Sequence, residues 1–397
     1  MQNNSLTLFL EIDDINLNFF IIENKEYEYE VVFKTSCPID GIENNRITNF
    51  EKIFNLIKNN IFSIEQKYNY TFKNIIIIIE NFKPKFTSLT GFKKLNKSQI
   101  LRENITYIIN TLKSYIDKND SKKTILHIFN SKFILDGEKV ENLPIGLFCD
   151  FYSHELSFSL ININDYKNIK NIFEKCNLKV KKIVLKRFVK GVYLSKNYSL
   201  DTFFVLKINE YKSKIFFFEN SSLKFEQDFE FGYNIVLKDI SKITSLKTNT
   251  VKNILNKIEF EKEKILDDEL IPKELFIEDN FRKIKKKLIY EIIIARITEL
   301  SEIIMTKNIN LKYFIKLSKI LFVEYNDEFK FNCLKKIFER VFLSNGILDF
   351  KPLDKMPDKS MLETAGNIVH FGWKKEAIPI TQTEKSLIRR FFDALFS

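Results

Sequence analysis

The chain has 397 residues and a formal net charge of +11, with 45% hydrophobic and 29% charged residues. This length predicts two or three domains, and the composition excludes a disordered chain. The longest purely apolar run, 75–79, is far shorter than the roughly 18 residues that a membrane-spanning helix needs. Acidic residues at 11, 13 and 14 interrupt the N-terminal apolar stretch, which argues against a signal peptide.

Several classes of site are excluded by composition. The nine glycines never form a Gly-x-Gly, so a P-loop, a Rossmann turn and a kinase-type glycine loop are absent in standard form. The four cysteines lack a Cys-x-x-Cys and the three histidines lack ligand spacing, so we expect no metal site, no disulfides and a reducing cytoplasm. The positive charge is spread along a lysine-rich chain, which favours a membrane surface or an acidic partner over nucleic acid.

The first 80 residues predict three strands, a helix and a buried strand. The strands are 7–12, 17–23 and 29–35, a capping box at 48–51 opens the helix, and the buried strand follows from 75. The second half repeats this order, with strands at 202–208, 214–219, 223–229 and 319–325 and helices at 234–244 and 332–342. Such a duplication predicts two related α/β halves, as in an actin-like fold.

The remaining segments separate or follow the two copies. Between them we predict a helix at 98–116, strands at 124–135 and 147–163, a helix that Asp165 caps, and a strand at 178–185. A long helix pattern covers 278–304. The polar stretch 376–383 contains Pro379 and predicts a linker.

The last residues form an amphipathic helix pattern. Its apolar stripe and adjacent basic residues predict a helix that lies in a membrane interface, and the alternative is a helix docked on the protein body. The residues assigned to membrane contact are Leu387, Ile388, Arg389, Arg390, Phe391, Phe392, Leu395 and Phe396.

At several points the sequence resembles the bacterial cell-division family FtsA, which is actin-like and tethers the tubulin-like FtsZ to the membrane. The resemblance rests on segments 36–42, 142–147, 174–180, 231–240 and 296–300, whose order and spacing match the family. It implies an α/β, actin-like (ribonuclease H-like, duplicated) two-lobed fold with an FtsA-type insertion, subdomain 1C. The implied domains are 1A at 1–83 and 162–195, 1C at 84–161, 2A at 196–243 and 316–375, 2B at 244–315, and a linker with the terminal helix at 376–397.

The three nucleotide loops of the family are altered here. Glycines are missing from all three, and acidic side chains or Lys207 stand where phosphate and Mg²⁺ would bind. We therefore expect no cofactor, although the family binds ATP and Mg²⁺; the alternative is weak binding in which Lys207 and Lys212 replace the metal. The altered positions are Glu11, Asp13, Asp14, Asn16, Lys207, Asn209, Glu210, Lys212, Glu324 and Tyr325.

A partner site is implied on the predicted helix 278–304. Arg282, Arg296 and Glu299 lie where the family has its partner-binding residues, and arginine can fork onto the carboxylates of the FtsZ tail. The alternative is a solvated basic face.

The resemblance thus implies a non-enzymatic protein of septum formation. Its expected partners are the FtsZ C-terminal tail, an anionic membrane surface, copies of itself in filaments, and later division proteins through subdomain 1C. It would be cytoplasmic and peripheral on the inner face of the cell membrane at the division site. Two alternatives are another actin-like scaffold, of the pilus or secretion type, and a basic nucleic-acid-binding protein.

Overall fold

A computed structural model describes residues 5–25, 28–43, 46–80, 82–260, 266–326, 329–373 and 376–377. The chain divides into two compact units. The first comprises the described parts of Met1–Asp201, Glu219–Lys224 and Met356–Ser397, and the second comprises those of Thr202–Phe218 and Phe225–Lys355.

The strands are β1 (Ser5–Ile12), β2 (Asn16–Lys25), β3 (Glu28–Pro38), β4 (Ile42–Glu43), β5 (Arg46–Ile47), β6 (Asn74–Ile79), β7 (Lys85–Gln99), β8 (Lys123–Leu135), β9 (Glu138–Val140), β10 (Phe148–Asn162), β11 (Lys179–Leu185), β12 (Phe203–Ile208), β13 (Ser213–Glu219), β14 (Ser222–Phe229), β15 (Ile320–Tyr325) and β16 (Asp349–Leu353). The α-helices are α1 (Phe50–Tyr68), α2 (Arg102–Asn119), α3 (Ile163–Lys175), α4 (Lys186–Tyr198), α5 (Asn234–Thr244), α6 (Thr248–Lys257), α7 (Lys286–Ser301), α8 (Phe314–Leu317), α9 (Asn332–Ser344) and α10 (Asp358–Phe371).

The main sheet of the first unit has the order β11-β6-β1-β2-β3. Strands β1, β2 and β3 are antiparallel neighbours, whereas β6 is parallel to both β1 and β11. The run 75–79 in β6 is completely buried, as expected of a parallel strand that is covered on both faces.

The five-stranded sheet of the second unit repeats this plan. Its order is β14-β13-β12-β15-β16, with β12 antiparallel to β13 and parallel to β15, and with β15 parallel to β16. Each sheet therefore places three consecutive strands on one side and two later parallel strands on the other. The duplicated α/β fold that the sequence predicts is confirmed.

A separate four-stranded sheet, in the order β7-β10-β8-β9, lies in the first unit and packs against α2. Gly91 in β7 permits close packing, because a Cβ there would lie 2.5 Å from the Ile108 side chain of α2. This sheet occupies the block predicted as an insertion, and its identification with subdomain 1C stays a prediction.

The division into two units differs in places from the domain boundaries that the resemblance implies. Helix α10 and residues 196–201 lie in the first unit, although the prediction placed them in subdomain 2A. The Tyr29 hydroxyl in β3 lies 3.5 Å from Asn367 Oδ1 in α10, and Lys34 in β3 forms an ion pair with Asp358 at the start of α10. These contacts join residues more than 300 positions apart, so local sequence patterns could not reveal them.

Helix starts also differ from the predictions. Asn49, rather than Thr48, caps α1, because its side chain accepts a hydrogen bond from Lys52 N. Asn162, rather than Asp165, caps α3. Helix α7 begins at Lys286 instead of 278, because the preceding residues pair with an extended segment: Ile271 N donates to Ile284 O at 2.9 Å.

Candidate functional site

The first altered loop, between β1 and β2, is closed on itself. The Asp13 carboxylate accepts hydrogen bonds from Ile15 N at 2.7 Å and Asn16 N at 2.6 Å. These are backbone donors of the kind that would otherwise be free to hold a phosphate. Asp14 beside them is exposed. The loop therefore combines occupied donors with added negative charge, and its residues do not fit a nucleotide phosphate.

An internal cation lies beside this loop. Lys186 Nζ is 2.6 Å from Glu11 Oε1 and 2.9 Å from Glu80 Oε2. Burial by itself would lower the pKa of Lys186, but the two carboxylates outweigh it and raise the pKa above its ordinary value. The charges of both acidic groups are thus compensated by Lys186.

Sequence reasoning missed Glu80 and Lys186, although a signal was present. Glu80 directly follows the buried strand β6, and Lys186 directly follows β11. Because β1, β6 and β11 are parallel neighbours, side chains at their carboxyl ends meet at one edge of the sheet.

The second altered loop follows β12 and is held by α5. Asn209 O accepts from Tyr233 N at 3.1 Å, and Glu210 O accepts from Asn234 N at 3.0 Å. Gly232 permits this approach, since a Cβ there would lie 2.0 Å from Asn209 O. The N–H groups at this helix start therefore point at loop carbonyls, which again does not fit a phosphate.

Lys207 and Lys212, the two lysines of this region, have different surroundings. Lys212 forms an exposed ion pair with Glu230 at 3.2 Å. Lys207 lies in β12, opposite Lys214 of β13 and Glu324 of β15.

Aromatic side chains fill the region after β15. The Tyr325 ring stacks on Phe329 at 4.7 Å, and Tyr233 meets Phe329 edge-on at 4.6 Å. Burial raises the pKa of Tyr325 far above its ordinary value. Its hydroxyl is buried with no hydrogen-bond partner in the described part of the chain. The space after this strand is therefore occupied by the protein's own rings.

Metal ligands are not clustered in the described ranges: no three His, Cys, Asp or Glu residues there could hold an ion together. None of the helices with described residues is both long and apolar enough to cross a membrane.

A surface groove of about 710 Å³ lies between α5 and α7 in the second unit. Arg296 of α7 forms ion pairs with Asp239 of α5 and with Glu299 one turn along. The hydrogen bond to Asp239 is the main reason that the pKa of Arg296 is raised. The residues that line the groove are Asp239, Lys242, Ile243, Glu291, Ile292, Ala295, Arg296 and Glu299.

The groove mixes charge with apolar surface. Three carboxylates and two cations line it, so a ligand carboxylate must compete with Asp239 and Glu299 for Arg296. Ile243 is 58% exposed, which supplies an apolar contact beside the charges.

Three lysines at the start of α7 form ion pairs with the acidic residues at 267–269. Lys285 pairs with Asp268 at 2.7 Å, Lys286 with Glu269 at 3.1 Å, and Lys287 with Asp267 at 2.6 Å. The structure thus brings Arg296 and Glu299 together. It leaves Arg282 exposed in the preceding coil, outside the residues that line the groove.

The predicted membrane residues, 387–396, lie outside the described residues. Residues 373, 376 and 377, which come earlier in the chain, are held within the first unit. Glu376 is buried, and its carboxylate lies 2.9 Å from His127 Nδ1 and 2.7 Å from Lys182 Nζ. Ala377 N donates to Ile128 O at 2.7 Å, and Trp373 Nε1 donates to Ser221 O at 2.7 Å.

The linker predicted from Glu376 therefore does not include its first two residues, which are buried. Burial by itself would raise the pKa of Glu376, but Lys182 and His127 outweigh it and lower the pKa. Leu185 N donates to His127 Nε2, so the ring proton lies on Nδ1 and faces Glu376. We call Trp373, Glu376 and Ala377 the C-terminal strap.

No protein-family model matches this chain. It is 23% identical over 207 residues to cell division protein FtsA of Buchnera aphidicola subsp. Schizaphis graminum, covering 52% of this chain and 49% of that protein. It is 22% identical over 221 residues to FtsA of Buchnera aphidicola subsp. Acyrthosiphon pisum, covering 55% and 52%. The chain spans about half the length of the curated relatives it matches.

A solved structure shares the fold. The PilM-PilN type IV pilus biogenesis complex covers 91% of this chain and 95% of its own, with a TM-score of 0.51 and 9% identity. At that identity the likeness shows the fold alone. The two relatives confirm the resemblance to FtsA that the sequence predicts, and the duplicated sheets confirm the actin-like fold.

Proposed function

We propose that this protein acts in cell division by tethering FtsZ to the inner face of the cell membrane. The observation that carries the proposal is the similarity to two FtsA proteins over half of the chain, together with the duplicated actin-like sheets. In this role it is cytoplasmic and peripheral, and it helps to assemble the septum. Self-association into filaments and contacts of later division proteins with the sheet of β7–β10 belong to the same proposal.

The FtsZ tail would bind in the groove between α5 and α7. Arg296 can release Asp239 or Glu299 and fork onto a tail carboxylate, which keeps a charge-assisted hydrogen bond in either state. Ile243 and Ala295 offer apolar contacts beside it. Specificity would then come from the exchange of Arg296 between a carboxylate of the protein and one of the tail, and not from an excess of positive charge in the groove.

The membrane end of the tether would be the terminal helix pattern. Its apolar stripe and its two arginines suit shallow insertion beside anionic lipid. The strap, which precedes this pattern in the sequence, is held within the first unit, so lipid binding would be transmitted to the folded body. We further propose that ATP binding is lost, since two loops hold no free phosphate cradle, and that the protein is not an enzyme.

A peptide titration tests the partner site. An Arg296→Glu variant should bind a fluorescent FtsZ tail peptide more weakly by roughly 1–3 kcal/mol, because repulsion replaces a charge-assisted contact. The control is Lys283→Glu, which makes the same charge change at an exposed site before α7. Equal anisotropy curves for both variants and the unmodified chain would reject the groove as the site. If the unmodified chain does not bind the peptide, the pilus or secretion type of scaffold becomes the better hypothesis.

A further inference from the structure

A second surface of the protein has an unusual composition. The segment 307–319 contains four lysines and no acidic residue. Its apolar side chains include three that face solvent: Ile309 is 86% exposed, Tyr313 is 54% exposed and Leu317 is 41% exposed. Three exposed apolar side chains within one short lysine-rich segment are a composition typical of an interfacial segment.

The inner side of the same segment is packed. Leu311 is buried, and the Phe314 ring lies 4.8 Å from Phe217 and 5.3 Å from Phe225. The residues from 309 to 317 run through a 3₁₀ turn and then α8. The core of the second unit therefore dictates which side of the segment faces outward.

Polar side chains hold both ends. Asn308 Nδ2 donates to Gln227 Oε1 at 3.1 Å and to Ile304 O at 3.0 Å. At the other end, Ser318 Oγ donates to Thr202 O at 3.0 Å. The outward face is thus presented by a fixed segment.

The outward face interleaves apolar and basic groups. Ile309 opens the 3₁₀ turn, whereas Tyr313 precedes α8 and Leu317 ends it. Lys312 and Lys316 are exposed and each precedes one of these residues. Long lysine side chains can extend past apolar neighbours and keep the ammonium group in a headgroup layer.

We propose that 307–319 is a membrane-contact patch of the second unit, at which Lys312 and Lys316 bind anionic lipid headgroups and the three apolar side chains enter the interface. A protein interface needs roughly 800 Å² of matched surface on each partner, whereas isolated apolar tips between lysines need only a soft, anionic layer. The patch and the terminal helix pattern are different segments of the sequence, so the proposal does not depend on that pattern.

Vesicle flotation of the full chain tests the patch. The vesicles are equimolar phosphatidylcholine and phosphatidylglycerol, with pure phosphatidylcholine as the uncharged comparison. Lys312→Gln/Lys316→Gln should lower the partition coefficient by roughly fivefold per lysine, and Ile309→Ser/Leu317→Ser should lower it severalfold. The controls are Lys273→Gln/Lys283→Gln and Ile277→Ser, exposed positions that precede α7, whereas the patch follows it.

The same variants are measured with Phe391→Glu, which disables the terminal helix pattern. If the patch variants lower binding in both backgrounds while the controls do not, the patch is a membrane contact whether or not the terminal helix is an anchor. If they float like the unmodified chain in both backgrounds, the patch inference is wrong, and an acidic protein becomes its better partner. If only Phe391→Glu lowers binding, the result supports the terminal helix as the membrane anchor and contradicts the patch inference.

Tyr313→Trp gives a second readout. The sequence has one tryptophan, Trp373, which is buried and supplies a constant background. Emission from position 313 should shift to the blue with anionic vesicles and stay unchanged with phosphatidylcholine alone. Unchanged emission with both lipids overturns insertion at this position.

Discussion

Glu376 is a buried carboxylate whose two partners come from distant parts of the first unit. Lys182 and His127 both contact it, and all three side chains are almost completely buried. Removing one member of such a cluster is costly, because the remaining charge stays in a low-dielectric site without a partner.

We therefore predict that Glu376→Gln lowers the free energy of unfolding by about 3–5 kcal/mol, measured by urea denaturation. The substitution keeps the size of the side chain and leaves Lys182 uncompensated. Glu363→Gln, at an exposed position of α10, is the matched control and should change stability by less than about 0.5 kcal/mol. A similar small effect for both variants would show that the strap is not held by this charge cluster.

Acid should destabilise the first unit through His154. Burial lowers the pKa of His154 to about 3, and its Nε2 lies 3.0 Å from Asn130 Oδ1. An unfolded histidine takes up a proton near pH 6.5, so the unfolded state binds more protons than the folded state below that pH. Stability from this group is present above pH 6.5 and is lost as the pH falls toward 3.

The expected loss from His154 is about 2 kcal/mol by pH 5. The measurement is the free energy of unfolding at pH 7 and pH 5 for the unmodified chain and for His154→Gln. Between pH 7 and pH 5 the free energy of unfolding of the variant should fall by about that amount less than that of the unmodified chain. His127 adds a pH dependence of its own to both proteins, because burial also lowers the pKa of that ring. Identical slopes would contradict the assignment of a neutral, buried His154.

At the scale of the element, the altered loops explain why the protein should not bind nucleotide. A phosphate cradle needs backbone N–H groups that face outward, and here Asp13 occupies two of them while loop carbonyls occupy two at α5. We predict that calorimetric titration with Mg-ATP gives no binding below the millimolar range. A micromolar dissociation constant would contradict this prediction.

A second titration, with ATP and no Mg²⁺, tests the alternative in which two lysines replace the metal. Any metal-independent binding that is lost in Lys207→Gln/Lys212→Gln would support that alternative.

Elements with strong local patterns could be predicted from the sequence. Helix α5 matches its predicted bounds, and β6 was recognisable from its continuous apolar run. Strand β7 was missed, because this edge strand carries many polar residues and glycine, and only Leu95 in it is buried. Helix α7 was predicted too long, because the residues just before it pair with an extended segment, as Ile271 N does with Ile284 O.

In the candidate sites, too, some features could be predicted from residue type and others depend on the folded structure. Asp13 and Glu210 could be recognised as foreign to a phosphate loop by residue type alone. The role of Lys186 could not, because it depends on which strands are neighbours. Likewise, the pairing of Arg296 with Asp239 joins α7 to α5 and has no local signal.

At the scale of the molecule, the two copies of the fold differ in the additional segments that pack with them. The first unit also includes α10 and the C-terminal strap, which come from the far end of the chain. A one-dimensional pattern shows the duplication, since each copy repeats the same element order. It cannot show that residues 358–371 and the strap return to the first copy, because the contacts between β8 and the strap are formed only in the folded protein.

The contacts of the strap determine how far the chain can be truncated without loss of stability. Truncation after Thr381 keeps Trp373, Glu376 and Ala377, so the melting temperature should stay unchanged while flotation with anionic vesicles falls. Truncation after Gly372 removes the strap and leaves Lys182 and His127 without Glu376, so the melting temperature should fall by several degrees. Scanning calorimetry and flotation of both truncations, with Phe391→Glu as a full-length comparison, separate a membrane helix from a strap. If the truncation after Thr381 is itself destabilised, the terminal residues belong to the folded body, and the tether must bind lipid elsewhere.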